Sequence, residues 1–259
     1  ALHRPFFIFM VITSKTNKTV AFVASLKNKK ARREHSAYVV EGKKMVAEAF
    51  AAGKRVKLVM VAESVENEMS FPIEHITVSD AVFRYVSDEV TPQGVLAVLS
   101  IEKKTITKAD GVCVLLDGIS DPGNLGTIFR TVAAVGVKKI YLVNCCDPYS
   151  PKTVRSSMSG IYHVEFYECT YEESFAALSG VKVFAADMGG SNIFEINPPD
   201  DYCVVIGNEA NGISREIEKR ADGIIGIPMS KTSESLNAAV SLAITLYTLT
   251  VGKGKSLIK

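Results

Sequence analysis

Three polar segments of the sequence carry residue types that could bind a ligand and act on it. In the first, an apolar stretch beginning at Leu115 passes through the turn residues Pro122 and Gly123 to Asn124 and Arg130. Ligands of open α/β sheets bind beyond the carboxyl ends of the strands, so Asn124 and Arg130 are candidate ligand contacts. The competing interpretation is structural, with Asn124 as the N-cap of a helix and Arg130 as an exposed helix residue.

The second segment runs from Val204 to Gly212, where an apolar strand ends in Gly207, Asn208 and Glu209. Glycines allow a ligand to approach the backbone closely, and a carboxylate at a strand end can accept hydrogen bonds. An ordinary turn with an exposed glutamate is the alternative. A weaker loop of the same kind, 187–190, ends another apolar stretch.

The third segment leads from Ile227 to Ser235 and Asn237, which open a helix predicted over 236–251 without charged residues. N-terminal capping would account for one serine or threonine there. It does not account for an asparagine inside an apolar helix, where an unpaired amide is costly. The sequence therefore predicts a polar partner for Asn237.

The order of apolar and helical stretches predicts the elements that position these segments. From residue 112 onwards strands alternate with helices, which is typical of a mostly parallel sheet with helices on both faces. The predicted strands are 112–119, 139–144, 163–168, 181–186, 203–206 and 224–228, and the predicted helices are 124–135, 151–158, 171–178, 214–220 and 236–251. A small N-terminal α/β domain, 10–105, precedes a C-terminal domain, 111–259, and the polar stretch 102–110 links them.

Charge is distributed unevenly between the two ends. Residues 1–60 hold 13 Lys and Arg against three Glu, whereas residues 111–259 hold 13 Lys and Arg against 16 Asp and Glu. Clustered cations favour a polyanion, so the N-terminal domain is expected to face nucleic acid; a merely solvated basic surface is the alternative. The candidate RNA contacts are the cations of the basic run: Lys27, Lys29, Lys30, Arg32 and Arg33.

The five cysteines indicate reduced core thiols. They lie mostly within apolar stretches and lack the spacing of a metal site, which favours a cytoplasmic protein without metal. The predicted helix 236–251 is too short and too polar for a membrane-spanning helix. The segment before Met10 has too short an apolar core for a signal peptide, and Met10 is the expected natural start.

Taken in order, the three segments resemble the signature motifs of the SpoU/TrmH class of SPOUT methyltransferases. The matching patterns are Asn124-x-Gly-x-x-x-Arg130, Ile206-Gly-Asn-Glu-x-x-Gly212 and Ile227-Pro-Met…Ser235-Leu-Asn237. The resemblance covers about residues 112–250. The part from Lys29 through Thr91-Pro-Gln-Gly94 resembles the ribosomal-protein-like substrate-binding domain of that family. One departure is Ala239, because relatives often have a serine two residues after the asparagine.

The resemblance implies an enzyme that transfers a methyl group from S-adenosylmethionine to a ribose 2′-hydroxyl of structured RNA, with ribosomal RNA as the expected substrate. It also implies a C-terminal trefoil knot, which ordinary topology rules exclude, and a homodimer. The implied catalytic residues are Asn124, Arg130, Glu209, Ser235 and Asn237. The implied cofactor contacts are Met188, Gly189, Gly190, Ile206, Gly207, Ile227 and Leu236.

Arg130 could act as a proton acceptor or as a phosphate clamp, and two other classes of protein remain open for the whole chain. A guanidinium with a pKa above about 12 is a poor base, so we expect Arg130 to clamp a phosphate. A nucleotide-dependent oxidoreductase would also alternate strands and helices, yet G-x-G-x-x-G follows the first strand of neither domain. A non-catalytic RNA-binding protein and a transfer RNA substrate are the remaining alternatives.

Overall fold

The structure is a computed structural model that describes residues 11–68, 70–230, 232 and 235–253; the expected start at Met10 lies outside them. The chain divides into two compact units between Glu102 and Lys103. No helix within the described ranges is long and apolar enough to cross a membrane.

Within the described residues, the N-terminal unit is a four-stranded mixed sheet with four α-helices and one 3₁₀ helix, Glu63–Glu68. Its helices are α1 (Lys18–Ser25), α2 (Lys29–His35), α3 (Lys43–Ala51) and α4 (Asp80–Val86), and its strands are β1 (Ala37–Glu41), β2 (Val56–Ala62), β3 (His75–Val78) and β4 (Val95–Ser100). The strand order is β1-β4-β2-β3, with antiparallel pairs on both sides of β4 and a parallel pair between β2 and β3. Five of the six residues of β4 are buried because β4 lies inside the sheet.

The second unit is a six-stranded sheet in which every pairing is parallel. Its strands are β5 (Val112–Asp117), β6 (Lys139–Val143), β7 (Glu165–Glu168), β8 (Lys182–Asn192), β9 (Tyr202–Ile206) and β10 (Gly223–Gly226), in the order β10-β8-β9-β5-β6-β7. Its helices are α5 (Pro122–Val135), α6 (Pro151–Ser156), α7 (Tyr171–Ala177), α8 (Arg215–Arg220) and α9 (Ala238–Leu249).

Helices cover both faces of this parallel sheet, as the sequence predicts. Leu115 and Tyr141 point to a core shared with Leu178 and Ile217, from the α7 and α8 side. On the other face, Phe129 of α5 packs against the ring of Phe166, with 4.9 Å between centroids, and α9 packs on α5 and β9. All residues of β5 and β9 are consequently buried, which is why both read as continuous apolar runs.

All residues of the predicted linker except Glu102 belong to the second unit. Residues 101–110 have no regular secondary structure, but the Tyr141 hydroxyl donates to the Thr107 carbonyl and Ala109 N–H donates to the Ala177 carbonyl. These bonds attach the stretch to β6 and to the end of α7, so it is ordered against the second unit.

The structure corrects three local predictions. Asn124 is not the N-cap of α5, which begins at Pro122; Asp121 is the cap, and its carboxylate accepts Asn124 N–H at 2.9 Å. Asn237 does not enter the final helix but caps it, because its side-chain oxygen accepts Ala239 N–H at 2.9 Å. The 187–190 segment does not end its strand: β8 continues to Asn192, and the pairing with β10 jumps from Ala185 to Ser191.

Candidate active site

The candidate active site forms at the carboxyl edge of the parallel sheet, where the three motif segments meet. β5 leads into α5 with Asn124, β9 leads into the loop with Glu209, and β10 leads into the segment that ends at Asn237. Parallel strands bring their carboxyl ends to one edge, so residues more than one hundred positions apart become neighbours there.

A chain of hydrogen bonds joins the three motifs. The Asn237 amide nitrogen Nδ2 donates to Asn124 Oδ1 at 2.9 Å, and Asn124 Nδ2 donates to Glu209 Oε1 at 2.7 Å. Ser120 Oγ also donates to Glu209, at 3.3 Å from Oε2. Asn237 therefore has a polar partner, as predicted, although it caps α9 and does not lie within that helix. Asn124 links the other two motif side chains.

The start of α5 fixes the central member of this chain. The Lys152 ammonium lies 2.8 Å from Asp121 Oδ2. Its hydrogen bond, followed in importance by the Asn124 N–H, lowers the pKa of Asp121. An ionised cap accepts backbone N–H groups well and complements the positive end of the helix.

A cavity of about 390 Å³ adjoins the chain on the side of Glu209. Of the predicted cofactor contacts, Met188, Ile206, Gly207, Ile227 and Leu236 line it, together with the predicted catalytic residues Glu209 and Ser235. Its size lies within the range of small-molecule sites, roughly 300–1,000 Å³, and its walls combine apolar side chains with polar groups in similar measure.

Two glycines are required by close backbone approaches: Gly207 in the cavity wall, and Gly190, which like Gly189 is not among the residues that line the cavity. A Cβ at Gly207 would lie 2.3 Å from the carbonyl carbon of Gly212, so the loop that carries Glu209 can fold tightly only without a side chain there. A Cβ at Gly190 would lie 2.5 Å from the Ile225 carbonyl carbon. Gly190 thus packs β8 against β10, while Gly189 beside it takes the left-handed φ of +83°.

Arg130 lies on α5 outside this hydrogen-bond chain. Its side chain is exposed, and within the residues that the structure describes it makes no hydrogen bond or ion pair. Asn124, Thr127 and Arg130 are three residues apart, which places them along one side of the helix. The guanidinium is therefore available to a ligand that lies over the start of α5.

Two neighbouring thiols are poor nucleophiles. Burial raises the pKa of Cys146 to about 11 and that of Cys145 to about 12. Both groups are protonated near neutral pH, and a thiol attacks only as thiolate. The described part of the chain also holds no cluster of three or more His, Cys, Asp or Glu that could bind a metal ion.

The predicted RNA contacts differ in exposure. Lys29, Lys30 and Arg33 are exposed on α2. Arg32 is buried, and its Nη1 donates to the carbonyls of Leu26 and Lys27 at 2.7 and 2.8 Å. Arg32 therefore ties the α1–α2 turn together, which the basic run by itself did not reveal.

Ser120 and Asn208 lie within two of the three motif segments, but their positions in the sequence indicated no role for them. Ser120 reaches Glu209, while Asn208 lines the cavity and donates through Nδ2 to the Gly118 carbonyl at 2.7 Å. Their polar types next to buried strand ends were the available signal. Their partners come from other strands, so spacing along the chain could not identify them.

An all-parallel sheet with a ligand cavity and a polar cluster at its carboxyl edge defines an α/β enzyme that binds a nucleotide-like molecule. Residues 111–247 match the model of the SpoU rRNA Methylase family, and residues 17–97 match that of the MRM3-like substrate binding domain. The chain belongs to the SpoU rRNA Methylase family.

Individual relatives are similar to this protein over nearly the whole chain. It is 29% identical over 245 residues to the 23S rRNA (guanosine(2553)-2′-O)-methyltransferase RlmP of Bacillus subtilis, covering 92% of this chain and 98% of that protein. An AdoMet-bound rRNA methyltransferase from Sinorhizobium meliloti has a TM-score of 0.84 and 27% identity, covering 92% of this chain and 96% of the other. The SpoU methyltransferase AviRb of Streptomyces viridochromogenes shares the fold, with a TM-score of 0.79, 23% identity and coverage of 90% and 97%.

The protein is an S-adenosylmethionine-dependent RNA methyltransferase, and the cavity fits that cofactor. Apolar side chains such as Ile206, Ile227 and Leu236 would hold the apolar parts of the cofactor, and the close backbone approach at Gly207 leaves main-chain groups at the wall. The Glu209 carboxylate on the same wall suits a ligand that carries a positive sulfonium.

Proposed function

We propose that the protein methylates a ribose 2′-hydroxyl of ribosomal RNA at the edge where α5, the Glu209 loop and the start of α9 meet. The observation that carries the proposal is the chain Asn237–Asn124–Glu209, which stands beside the cofactor cavity and offers both donors and acceptors to a ribose. The similarity to the B. subtilis enzyme supports ribosomal RNA as the substrate.

Each polar residue has a role that its position supports. Glu209, held by Asn124 and Ser120, orients the hydroxyl and the amides around it. Arg130 binds the phosphate next to the acceptor ribose with its planar pair of donors. S-adenosylmethionine, when bound, supplies an electrophilic methyl group on sulfur. Positioning the hydroxyl oxygen in line with that group supplies much of the rate.

The decisive experiment maps 2′-O-methylation in RNA from cells that lack the gene. Loss of one methyl group from ribosomal RNA, restored by the wild-type gene but not by an Asn124→Ala variant, is the expected result. The nucleotide to inspect first is the one named for the B. subtilis relative. Loss of a methyl group from transfer RNA alone would instead support the alternative substrate, and unchanged RNA together with RNA binding would support a non-catalytic protein.

We further propose that residues 10–105 form the RNA-binding domain and residues 111–259 the methyltransferase domain. The exposed cations of α2 and the match of residues 17–97 to a substrate binding domain support this division. In the C-terminal domain, the segment after β10 returns from the edge of the sheet to line the same cavity as the β9 loop. A return of this kind supports the trefoil knot that the family resemblance implies.

RNA binding should depend on Lys29 and Lys30. Changing both to glutamate should raise KM for RNA by about 10- to 100-fold at low salt, because lost phosphate contacts remove counterion release. The affinity for S-adenosylmethionine should not change. Lys138→Glu with Lys219→Glu is the matched control, since both lysines are exposed on the second unit. A rise in KM that is equal in both variants would point to net charge alone and would contradict the proposed surface.

A homodimer through α9 is the assembly that the sequence predicts and that exposed residues of this helix support. Val240 and Tyr247 are 47% and 44% exposed, and Val251 just beyond the helix is 44% exposed. Together with Ile244 they follow a spacing of four, three and four residues, which forms one apolar stripe opposite the buried Leu242 and Leu246. Exposed stripes of this kind mark protein interfaces.

Tyr247→Glu should convert the dimer to a monomer at micromolar concentration. A charge buried at an interface without a partner weakens association by about 100-fold or more, and light scattering measures the mass directly. Val90→Glu adds the same charge at a fully exposed apolar residue of the N-terminal unit and should leave the dimer intact. A wild-type protein that scatters as a monomer would contradict the proposal outright.

A further inference from the structure

The buried carboxylate of Asp117 stands at the carboxyl end of β5, outside the hydrogen-bond chain of the active site. Only 3% of the residue is exposed. Tyr171 donates its hydroxyl proton to Oδ1 at 2.7 Å, and Ser214 N–H donates to Oδ2 at 2.7 Å. A carboxylate this deeply buried is costly unless it is hydrogen-bonded, and both of its oxygens here have donors.

One of these donors ends the loop that carries Glu209. The loop starts at Gly207 and reaches Ser214, the N-cap of α8. Within it, Asn208 Oδ1 accepts the N–H groups of Ala210 and Asn211 at 2.9 and 3.1 Å. A backbone bridge between Asn208 and Gly212 closes the tip. The tip is therefore a small rigid ring with Glu209 in it.

Two hydrogen bonds anchor this ring to the end of β5. At its start, Asn208 Nδ2 donates to the carbonyl of Gly118 at 2.7 Å. At its far end, Ser214 N–H donates to Asp117. The two acceptors, Gly118 and Asp117, are adjacent residues at the end of β5. The same strand end leads into α5, which carries Asn124. β5 therefore sets the distance between Glu209 and Asn124.

Tyr171 completes the anchor from the other side. It is the first residue of α7, whose N-cap Thr170 forms a capping box with Glu173. Burial raises the pKa of Tyr171, so the phenol keeps its proton and donates near neutral pH. The hydroxyl therefore fixes the orientation in which Asp117 presents Oδ2 to the loop.

We propose that Asp117 is a positioning residue for methyl transfer: it holds the 207–214 loop in register with β5 and thereby places Glu209 and the loop wall of the cofactor cavity. The inference rests on the proposed function for its effect on methyl transfer. Its effect on cofactor binding is independent of the RNA, because Gly207, Asn208 and Gly212 of this loop line the cavity.

Asp117→Leu and Asp117→Asn test the proposal together. Leucine has a similar size but no acceptor, so the Ser214 N–H is released and the loop shifts. A displacement of about 1 Å costs about 100-fold in rate, so kcat/KM should fall by about that factor. Affinity for S-adenosylmethionine, measured by calorimetry without RNA, should fall by about tenfold, which corresponds to the loss of about one hydrogen bond at the cavity wall. Asparagine restores an acceptor for the Ser214 N–H and a donor to the rotatable Tyr171 hydroxyl. Both kcat/KM and the affinity for S-adenosylmethionine should therefore recover.

Ile140→Ala is the control for a general loss of stability. Ile140 is fully buried in β6, near the strand end away from the site. If its melting temperature falls as far as that of Asp117→Leu while cofactor affinity and rate stay near wild type, a merely structural role is excluded. Tyr171→Phe removes the donor to Asp117 Oδ1 at a residue that does not line the cavity, so it serves as the test if Asp117→Leu does not fold, and it should weaken cofactor binding in the same direction.

Three outcomes overturn the inference: a folded Asp117→Leu variant with wild-type cofactor affinity and rate, an asparagine variant as damaged as the leucine variant, or an Ile140→Ala variant with the same losses. A double-mutant cycle with Glu209→Gln adds a fourth readout. Non-additive losses are expected if Asp117 acts through Glu209, and fully additive losses contradict this. If the wild type binds the cofactor but leaves RNA unmodified, the proposed function is wrong. The cofactor affinities of the Asp117 variants, measured by calorimetry, still test whether Asp117 positions the loop.

Discussion

Replacing Arg130 with alanine should reduce methyl transfer by about 1,000-fold while leaving the affinity for S-adenosylmethionine nearly unchanged. The guanidinium is exposed on α5, does not line the cofactor cavity, and is not engaged by any partner within the described residues. Its loss therefore removes a contact to the RNA and spares the fold. Single-turnover methylation and calorimetry with the cofactor measure the two effects separately.

Arg130→Lys separates a phosphate clamp from a proton acceptor. Lysine keeps a point charge but loses the planar pair of donors, so a clamp predicts a severe loss at every pH. An amine becomes a base once it is deprotonated, so a strong recovery of rate as the pH approaches about 10 would support proton acceptance instead. Thr127→Ala, one turn earlier on the same side of α5, is the control and should retain most of the activity.

Asn124→Asp should lose more activity than Asn124→Ala, although it is the closer replacement in shape. The amide donates to Glu209 through Nδ2 at 2.7 Å, and a carboxylate in its place has no proton to donate and repels Glu209. Removing one preorganised donor costs about 100- to 1,000-fold, and we expect alanine near the lower figure and aspartate at or beyond the upper one.

The side-chain oxygen of Asn124 allows a matched comparison of the two variants. Asn237 donates to Asn124 Oδ1, an interaction that aspartate preserves and alanine removes. If alanine proves more harmful than aspartate, the link to Asn237 matters more than the link to Glu209, and the role given to Glu209 would have to be abandoned. Melting temperatures of both variants show whether either loss reflects unfolding.

Much of the second unit could be predicted from the sequence because its periodicity is local. Strands buried on both faces read as continuous apolar runs, as in 112–116 and 202–206, and turn residues such as Gly136 end the helices between them. Helix starts were harder. Asp121 and Asn124 both suit an N-cap, and the structure uses Asp121, with Pro122 at the first position of the helix.

The sequence by itself determined the residue types of the site and the order of the strands that carry them. It also predicted a polar partner for Asn237, but on the premise that this residue lies inside an apolar helix, whereas Asn237 is exposed and caps α9. Only the tertiary structure decided that this partner is Asn124, that Arg32 turns inward, and that Asp117 holds the Glu209 loop. Hydrogen bonds between residues about one hundred positions apart depend on which strands pair and in which register, and local periodicity carries no information about that pairing.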